Sequence, residues 1–298
     1  MSEWDHRMEK IISRLAPTPS GFLHIGNAVN FVLTWVLTRR AGGKLWLRID
    51  DLDAPRMRPE YLEDIFRTID WLGLDYDFGP SGPDDHIKSF SQQSRQDTYL
   101  AAIEQLRQGG GEIFACVCSR SEIRSNSEAG QYGGTCRNAG IPFIQPETTI
   151  RIATPPDAVI SWSDHLLGKT SVNLYDQMRD FVVRRKDGIP AYQIASLVDD
   201  LRLGVNLIVR GEDLANSTAA QLFLSTFLSE NAFSQTQFYH HQLLTDDEGR
   251  KLSKSAGAYS LKEMRESGKS TSLVFSLAAQ ILAQPGGHFL SAVDFLDK

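Results

Sequence analysis

A chain of 298 residues, 41% hydrophobic and 23% charged, has the composition of an ordinary globular protein of about two domains, able to bury a core without staples. Its net charge of −6 argues against a general polyanion binder, though a local basic patch stays compatible with nucleic-acid contact. The start MSEWDHRMEK lacks the apolar core of a secretory signal, and no apolar run of about 18 residues exists to cross a membrane, so a cytoplasmic protein with no membrane partner is expected.

In chain order, residues 11–16 read as a first strand, which stops at a stretch with Pro17, Pro19 and Gly21. The run from Ala28 to Arg40, AVNFVLTWVLTRR, is apolar on most sides, as expected of a helix wedged against a sheet. Strand, Pro/Gly-rich turn and helix is the geometry that aims free backbone N–H groups at a phosphate. Arg14 stands at the start of that turn and His24 at the helix mouth. The plainer alternative is an ordinary strand-to-helix connection. Gly42-Gly43 ends the helix, and KLWLRI at 44–49 reads as a second strand, completing a βαβ unit of a parallel sheet. Residues at the carboxyl ends of parallel strands face the ligand crevice. Asp50, Asp51 and Asp53 stand there, as a metal or amine site or as a solvated turn with a helix cap at Asp53. Taken alone, the cap is the simpler expectation.

Glu60 to Leu72 is an amphipathic helix with Tyr61, Ile65, Ile69 and Leu72 on one face, and residues 73–94 read as a loop. Asp97 to Gln108 is a further helix, ended by Gly109-Gly110-Gly111, a candidate boundary. All three cysteines then fall between Cys116 and Cys136, an odd and clustered set that makes a poor disulfide framework. Two thiolates from a tight turn and a third nearby can hold zinc, with Tyr132 or water as the fourth ligand; three unligated thiols are the alternative. The runs TIRIA, AVISW and FVVRR between 147 and 185 read as strands of a small inserted sheet. AYQIASLVDD at 191–200 returns to an apolar segment, and GVNLIVR at 204–210 is a buried strand ending in Gly211-Glu212-Asp213. Ser217 to Leu228 reads as a helix and Phe238 to Leu244 as a strand. GRKLSKS at 249–255 places two lysines and two serines after a glycine, a stretch that can close on phosphates or be a basic surface loop. Two helices, 260–267 and 270–283, follow.

HIGN at 24–27 resembles the HIGH signature of the class I aminoacyl-tRNA synthetases, and KLSKS at 251–255 resembles their KMSKS loop, in the same order and in a βαβ setting. RLAPTPSG at 14–21, RIDDLDAPR at 48–56, VDD at 198–200 and VRGED at 209–213 resemble the glutamyl branch. The resemblance covers nearly the whole chain. With its C-x-C…Y-x-x-x-C cluster, a chain of this length is similar to the glutamyl-queuosine tRNA(Asp) synthetases, truncated relatives without an anticodon-binding domain.

The resemblance implies an α/β fold: a class I synthetase-type Rossmann domain with an inserted small zinc-containing α+β subdomain and a short C-terminal helical part. Residues 1–110 and 189–244 would be the two halves of the catalytic domain, 111–188 the insertion, and 245–298 the KLSKS loop and C-terminal helices. The implied reaction activates L-glutamate with ATP and Mg²⁺ as glutamyl-adenylate, then transfers glutamate to queuosine in tRNA(Asp). His24, Lys251 and Lys254 would be catalytic, with Asn27 and Ser253 also at the nucleotide. Arg14, Asp50, Tyr192 and Arg210 would hold glutamate, and Cys116, Cys118, Tyr132 and Cys136 one structural Zn²⁺ per chain. The chemistry agrees, since a substrate with two carboxylates and one ammonium wants two cationic anchors and an acid. A monomer is expected. Arg120, Arg124, Arg137 and Arg151 are available to RNA, although a solvated face is the ordinary role of each. Three departures stand out. Asn27 replaces the second His of HIGH. Asp50 replaces Glu, shortening the reach by about 1.3–1.5 Å. Leu201 follows VDD where many relatives have His. Competing readings are a minimal glutamyl-tRNA synthetase charging the 3′ end, and a catalytically silent RNA-binding paralogue.

Overall fold

The computed structural model describes residues 10–125, 131–143, 148–229, 231–244, 260–283 and 289–296. From the amino end come β1 (Ile12–Leu15), α1 (Ile25–Arg40), β2 (Lys44–Leu47) and α2 (Pro59–Trp71). Next are α3 (Gln96–Gln108), β3 (Ile113–Cys116), β4 (Thr149–Ile152), β5 (Val159–Asp164), β6 (Gly168–Asn173), β7 (Phe181–Arg184) and α4 (Tyr192–Arg202). The chain goes on through β8 (Leu207–Gly211), α5 (Ala215–Ser225), β9 (Gln237–His241), α6 (Leu261–Glu266) and α7 (Ser272–Ile281). These elements fall into two compact units, one of Met1–Ser94, Gly204–Asp213 and Gln237–Lys298, the other of Arg95–Leu203 and Leu214–Thr236.

The first unit is built on parallel strands. β1 pairs with β2, Arg14 opposite Trp46. The pairing continues past the strand ends, where Arg48 N–H donates to Leu15 O at 2.9 Å and Asp50 N–H to Pro17 O at 2.9 Å. β8 pairs with β9, Arg210 opposite His240. β8 also advances alongside β1: Asn206 N–H donates to Ile12 O at 2.9 Å, and the Ser13 hydroxyl to Leu207 O at 2.8 Å. The lateral order is therefore β2, β1, β8, β9. The chain leaves β1 towards β2 on one side while β8 lies on the other, so the carboxyl ends of β1 and β8 flank a topological switch point, where open α/β sheets bind ligands. α1 buries residues on nearly every face, including Val29, Phe31, Leu33, Trp35 and Val36, because the sheet and α7 both pack on it. It begins at Ile25, a turn earlier than the apolar run indicated, since HIGN itself forms the first turn.

Two sequence expectations change in this unit. Asp53, expected as a helix cap, stands at the N-cap position of only a short turn, Ala54–Arg56, and makes no side-chain cap hydrogen bond there; α2 itself follows Arg58. The stretch 73–94 is not wholly loop, since short helical turns occupy Pro83–Asp85, His86–Phe90 and Gln92–Arg95.

The second unit carries a three-stranded antiparallel sheet in the order β3, β4, β7. Beside it, β5 and β6 form a hairpin with Val159 opposite Asn173. β6, GKTSVN, escaped the sequence reading because it is polar and largely exposed. The glycine run after α3 follows from close approach. A Cβ on Gly109 would lie 2.1 Å from the Phe227 carbonyl oxygen, and one on Gly111 2.7 Å from that of Leu106.

α3 and α4 are joined by a buried polar network. The Tyr99 hydroxyl lies 2.9 Å from each Asp199 carboxylate oxygen, and Arg95 NH2 donates to Oδ2 at 2.9 Å. Burial and the Asp199 charge both hold the Tyr99 phenol above its ordinary value, so it remains a donor. Tyr99→Phe is expected to lower unfolding stability by about 1–3 kcal/mol, the usual cost of stranding a buried acceptor. A urea midpoint unchanged from wild type would contradict this. Among the described residues no helix is long and apolar enough to cross a membrane.

Candidate functional site

At the carboxyl ends of β1 and β8 sit two arginines with almost no solvent contact, Arg14 at 5% exposed and Arg210 at 3%. The Arg210 guanidinium lies 5.9 Å from the centre of the Phe238 ring on the neighbouring strand. Asp50 joins this edge through its pairing with Pro17 and is itself buried. The first unit therefore brings Arg14, Asp50 and Arg210 to the carboxyl ends of neighbouring strands.

Asp50 does not stand by itself. Arg48 grips both its oxygens, Nε to Oδ1 at 2.7 Å and NH2 to Oδ2 at 3.1 Å, and Gln92 Nε2 reaches Oδ1 at 3.3 Å. Asp51 is turned inward. It accepts from the Ser91 hydroxyl at 2.6 Å and Gln92 N–H at 2.7 Å, and lies 2.9 Å from His86 Nε2. Both its oxygens are engaged by these partners, and it is 2% exposed. Gln92 thus joins the two carboxylates, its backbone on Asp51 and its side chain on Asp50. Sequence reasoning missed Arg48, His86, Ser91 and Gln92. Only Arg48 carried a signal, two residues before Asp50 just beyond the end of β2.

Burial alone would raise the Asp51 pKa. The bonds from His86 and Ser91, the His86 charge and the Gln92 N–H outweigh it and hold the carboxyl below its ordinary value. A carboxyl depressed in the folded state stabilises fully above its unfolded pKa, about 3.9, and that stability is lost as pH falls through the lower folded value. Between neutral pH and pH about 3, wild type is therefore expected to lose more stability than Asp51→Asn. Equal losses, measured by urea unfolding at both pH values, would contradict the assignment.

His24 precedes α1 in an extended conformation, φ −117° and ψ 171°. Its backbone N–H donates to Asn27 Oδ1 at 3.0 Å. A Cβ on Gly26 would meet the His24 ring at 3.1 Å, so glycine gives the imidazole its room. Asn27 braces the first turn of the helix by this bond. The segment after the KLSKS stretch is tied here too: Leu261 N–H donates to Leu23 O at 2.9 Å. Lys251, Ser253 and Lys254 lie outside the described residues. Tyr192 belongs to the second unit, where it opens α4 at 42% exposed.

The second unit also gathers the cysteines. The Sγ atoms of Cys116, Cys118 and Cys136 lie within 4.8 Å of one another, Cys118 and Cys136 at 3.5 Å. Tetrahedral zinc with bonds of about 2.3 Å sets its sulfurs roughly 3.8 Å apart, so the donor set fits that ion. Tyr132 Oη accepts from Cys136 N–H at 2.7 Å, which holds the phenol beside the thiols. Burial and the Cys136 hydrogen bond push the Cys118 thiol up to about 12. Against burial, the Val117 N–H and the neighbouring sulfurs hold Cys136 below its ordinary value. The four residues therefore meet, the thiols sharing charge unequally. Of the arginines open to RNA by sequence, Arg120 and Arg124 are exposed, but Arg151 is buried at 8%. It faces the sheet side that carries Phe114 and Cys116, because it is paired opposite Phe114.

Comparison with known proteins adds to this geometry. The family described as tRNA synthetases class I (E and Q), catalytic domain, matches residues 10–287. The chain is 36% identical over 275 residues to the Glutamyl-Q tRNA(Asp) synthetase of Nitratidesulfovibrio vulgaris, covering 87% of this chain and 82% of that one. It is 35% identical over 271 residues to Glutamate–tRNA ligase 2 of Halorhodospira halophila, covering 88% of this chain and 54% of that one. The chain thus spans about half the length of that ligase. The crystal structure of a glutamate tRNA ligase from Elizabethkingia meningosepticum, in complex with its amino acid, superposes with a TM-score of 0.76 at 25% identity over 97% of this chain and 64% of that chain.

Proposed function

We propose the reaction from what the chain is: it belongs to the class I tRNA synthetases of the E and Q type, a family of ligases, through their catalytic domain. The chain activates L-glutamate with ATP and transfers the glutamyl group to queuosine at the wobble position of tRNA(Asp). The observation that carries the amino-acid assignment is the pair of buried guanidiniums, Arg14 and Arg210, at one sheet edge with a buried carboxylate, Asp50. Two cations and one acid complement two carboxylates and one ammonium. Tyr192 is assigned to glutamate on the family resemblance alone. The acceptor assignment is supported by the likeness to the Nitratidesulfovibrio protein over most of both chains.

Each residue has a role in this scheme. The glutamate carboxylate attacks the ATP α-phosphorus, the bond to the bridging oxygen breaks, and pyrophosphate leaves with its electron pair. Catalysis is positioning plus charge stabilisation, with no covalent protein nucleophile. His24 and Asn27, at the first turn of α1, face the nucleotide at a helix N-terminus, where backbone N–H groups favour anions. Lys251 and Lys254 neutralise charge on the phosphates, and Ser253 contacts the nucleotide as a hydrogen-bonding group. Bound with ATP, Mg²⁺ would supply charge shielding on the phosphates. Cys116, Cys118, Cys136 and Tyr132 would hold a structural zinc that ties together an inserted subdomain, 111–188, and the protein acts as a cytoplasmic monomer.

The test supplies ATP, radiolabelled glutamate and tRNA(Asp) with or without queuosine, then identifies the labelled nucleotide after nuclease digestion. Label confined to the queuosine nucleotide is expected. Equal labelling of both RNAs, or none, would overturn the proposal. The likeness to glutamate–tRNA ligases favours one second reading, charging of the 3′ end. It predicts label on the terminal adenosine. A catalytically silent paralogue would show no glutamate-dependent ATP–pyrophosphate exchange.

A further inference from the structure

Arg151 is a buried cation without a partner acid. Its side chain comes from the middle of β4, it is 8% exposed, and among the described residues it makes no ion pair. NH1 donates to the Asp180 carbonyl oxygen at 2.8 Å, while the buried Nε has no hydrogen-bond partner. Burying an uncompensated charge is costly, so such groups are normally paired or found beside a metal site. The guanidinium carbon instead lies 4.0 Å from the centre of the Tyr132 ring. Phe114 stacks near the same ring, with centroids 6.2 Å apart and planes at 29°. The phenol oxygen is held by Cys136 N–H at 2.7 Å. Strand register produces this arrangement. Phe114 and Cys116 share a face of β3, and Arg151 is paired opposite Phe114.

We propose that Arg151 is a positioning residue of the cysteine centre, which matches its charge and fixes the tyrosine beside it. This deepens the zinc reading above and rests on it. Three thiolates around a divalent ion leave a net charge of −1, whatever neutral group completes the tetrahedron. A buried guanidinium one ring away is the countercharge. Its contact with the ring face also sets the ring plane, and so the direction in which Oη points, as groups behind metal ligands commonly do. Arg151 therefore acts through Tyr132 and touches no ligand sulfur in this scheme.

The test measures zinc affinity of the full chain by competition with a chromophoric chelator, for wild type, Arg151→Gln, Arg151→Lys and Tyr132→Phe. Glutamine can still donate to the Asp180 carbonyl but loses the charge; lysine keeps the charge. Arg151→Gln is expected to weaken zinc binding roughly 10–100-fold. Arg151→Lys should stay within about threefold of wild type, since an ammonium also favours a ring face. Tyr132→Phe, which keeps the ring, should weaken binding further when combined with Arg151→Gln by much less than the product of the single effects, because both act on one position. Affinity unchanged in Arg151→Gln, or lowered equally in Arg151→Lys, would overturn the proposal. If Arg151→Gln does not fold, as judged by circular dichroism, Arg151→Lys decides: near wild-type affinity supports the proposal, and a loss of about tenfold or more overturns it. Wild type that binds no zinc overturns the zinc reading and this inference together, whereas tight wild-type binding with an indifferent Arg151 overturns this inference alone.

Discussion

Arg210→Ala is expected to lower kcat/KM for glutamate in ATP–pyrophosphate exchange on the order of 10²–10³-fold, and Arg14→Ala comparably. Both guanidiniums are buried, at 3% and 5% exposed, so each would meet its carboxylate away from bulk water. Truncating one partner of such a buried pair costs about 2–5 kcal/mol, and each 1.4 kcal/mol is about a factor of ten. The loss should fall on glutamate, with KM for ATP little changed, because neither arginine is assigned to the nucleotide. Lysine should rescue poorly at either position, since an ammonium cannot make the paired bonds of a planar fork. Exchange within about threefold of wild type after Arg210→Ala would remove Arg210 from the amino-acid pocket. Aspartate at position 50 gives the same experiment a second arm. Its oxygens are already gripped by Arg48, so Asp50→Asn would disturb both the substrate ammonium and a buried ion pair.

Cys136→Ser is expected to bring zinc content from about one per chain to near zero, with affinity falling roughly 10³-fold or more. Cys136 is the hub of the cluster: its sulfur is 3.5 Å from Cys118 and its N–H donates to Tyr132 Oη at 2.7 Å. Few apolar side chains support that region. The buried set around it is Phe114, Cys116, Tyr132, Cys136 and Ala153, too small to stand firmly without the ion. The first unit has a large apolar core of its own, from Ile11 through Phe295. The variant should therefore lose structure first in the cysteine region, at lower urea than wild type, while still binding ATP. A chelator should do the same to wild type. Metal analysis giving near-zero zinc in wild type, with three freely titrating thiols, would sink this expectation.

Much of the fold was legible because its signals are local. The βαβ start followed from a glycine-ended apolar run between two short strand patterns; β1 and β2 form where expected, and α1 does so apart from its earlier start at Ile25. HIGN could be placed at a helix mouth because a Pro/Gly-rich turn and an apolar run flank it, and the structure adds that Asn27 accepts from His24 N–H. β6 was not legible, since a polar hairpin strand has no apolar alternation to read. Asp53 was expected to cap a helix, yet it leads only the short turn Ala54–Arg56 and makes no side-chain cap hydrogen bond there. The partners of the acidic pair were equally hidden. His86, Ser91 and Gln92 lie 35, 40 and 41 residues along the chain from Asp51, in a stretch read as loop.

Sequence by itself determined the chemical inventory: the arginines at strand ends, the carboxylates after β2, the HIGN turn and the spacing of cysteines and tyrosine. It did so because motif residues a few positions apart are set by one turn or one strand end. Tertiary structure alone decided which of these groups are engaged and by what. Asp50 is bound by Arg48 and Gln92, Asp51 faces the interior, and Arg151 lies against the Tyr132 ring rather than in solvent. Each depends on strand register or on a loop folding back over tens of residues. Those are fixed by packing of whole elements, and no short stretch of sequence carries that information.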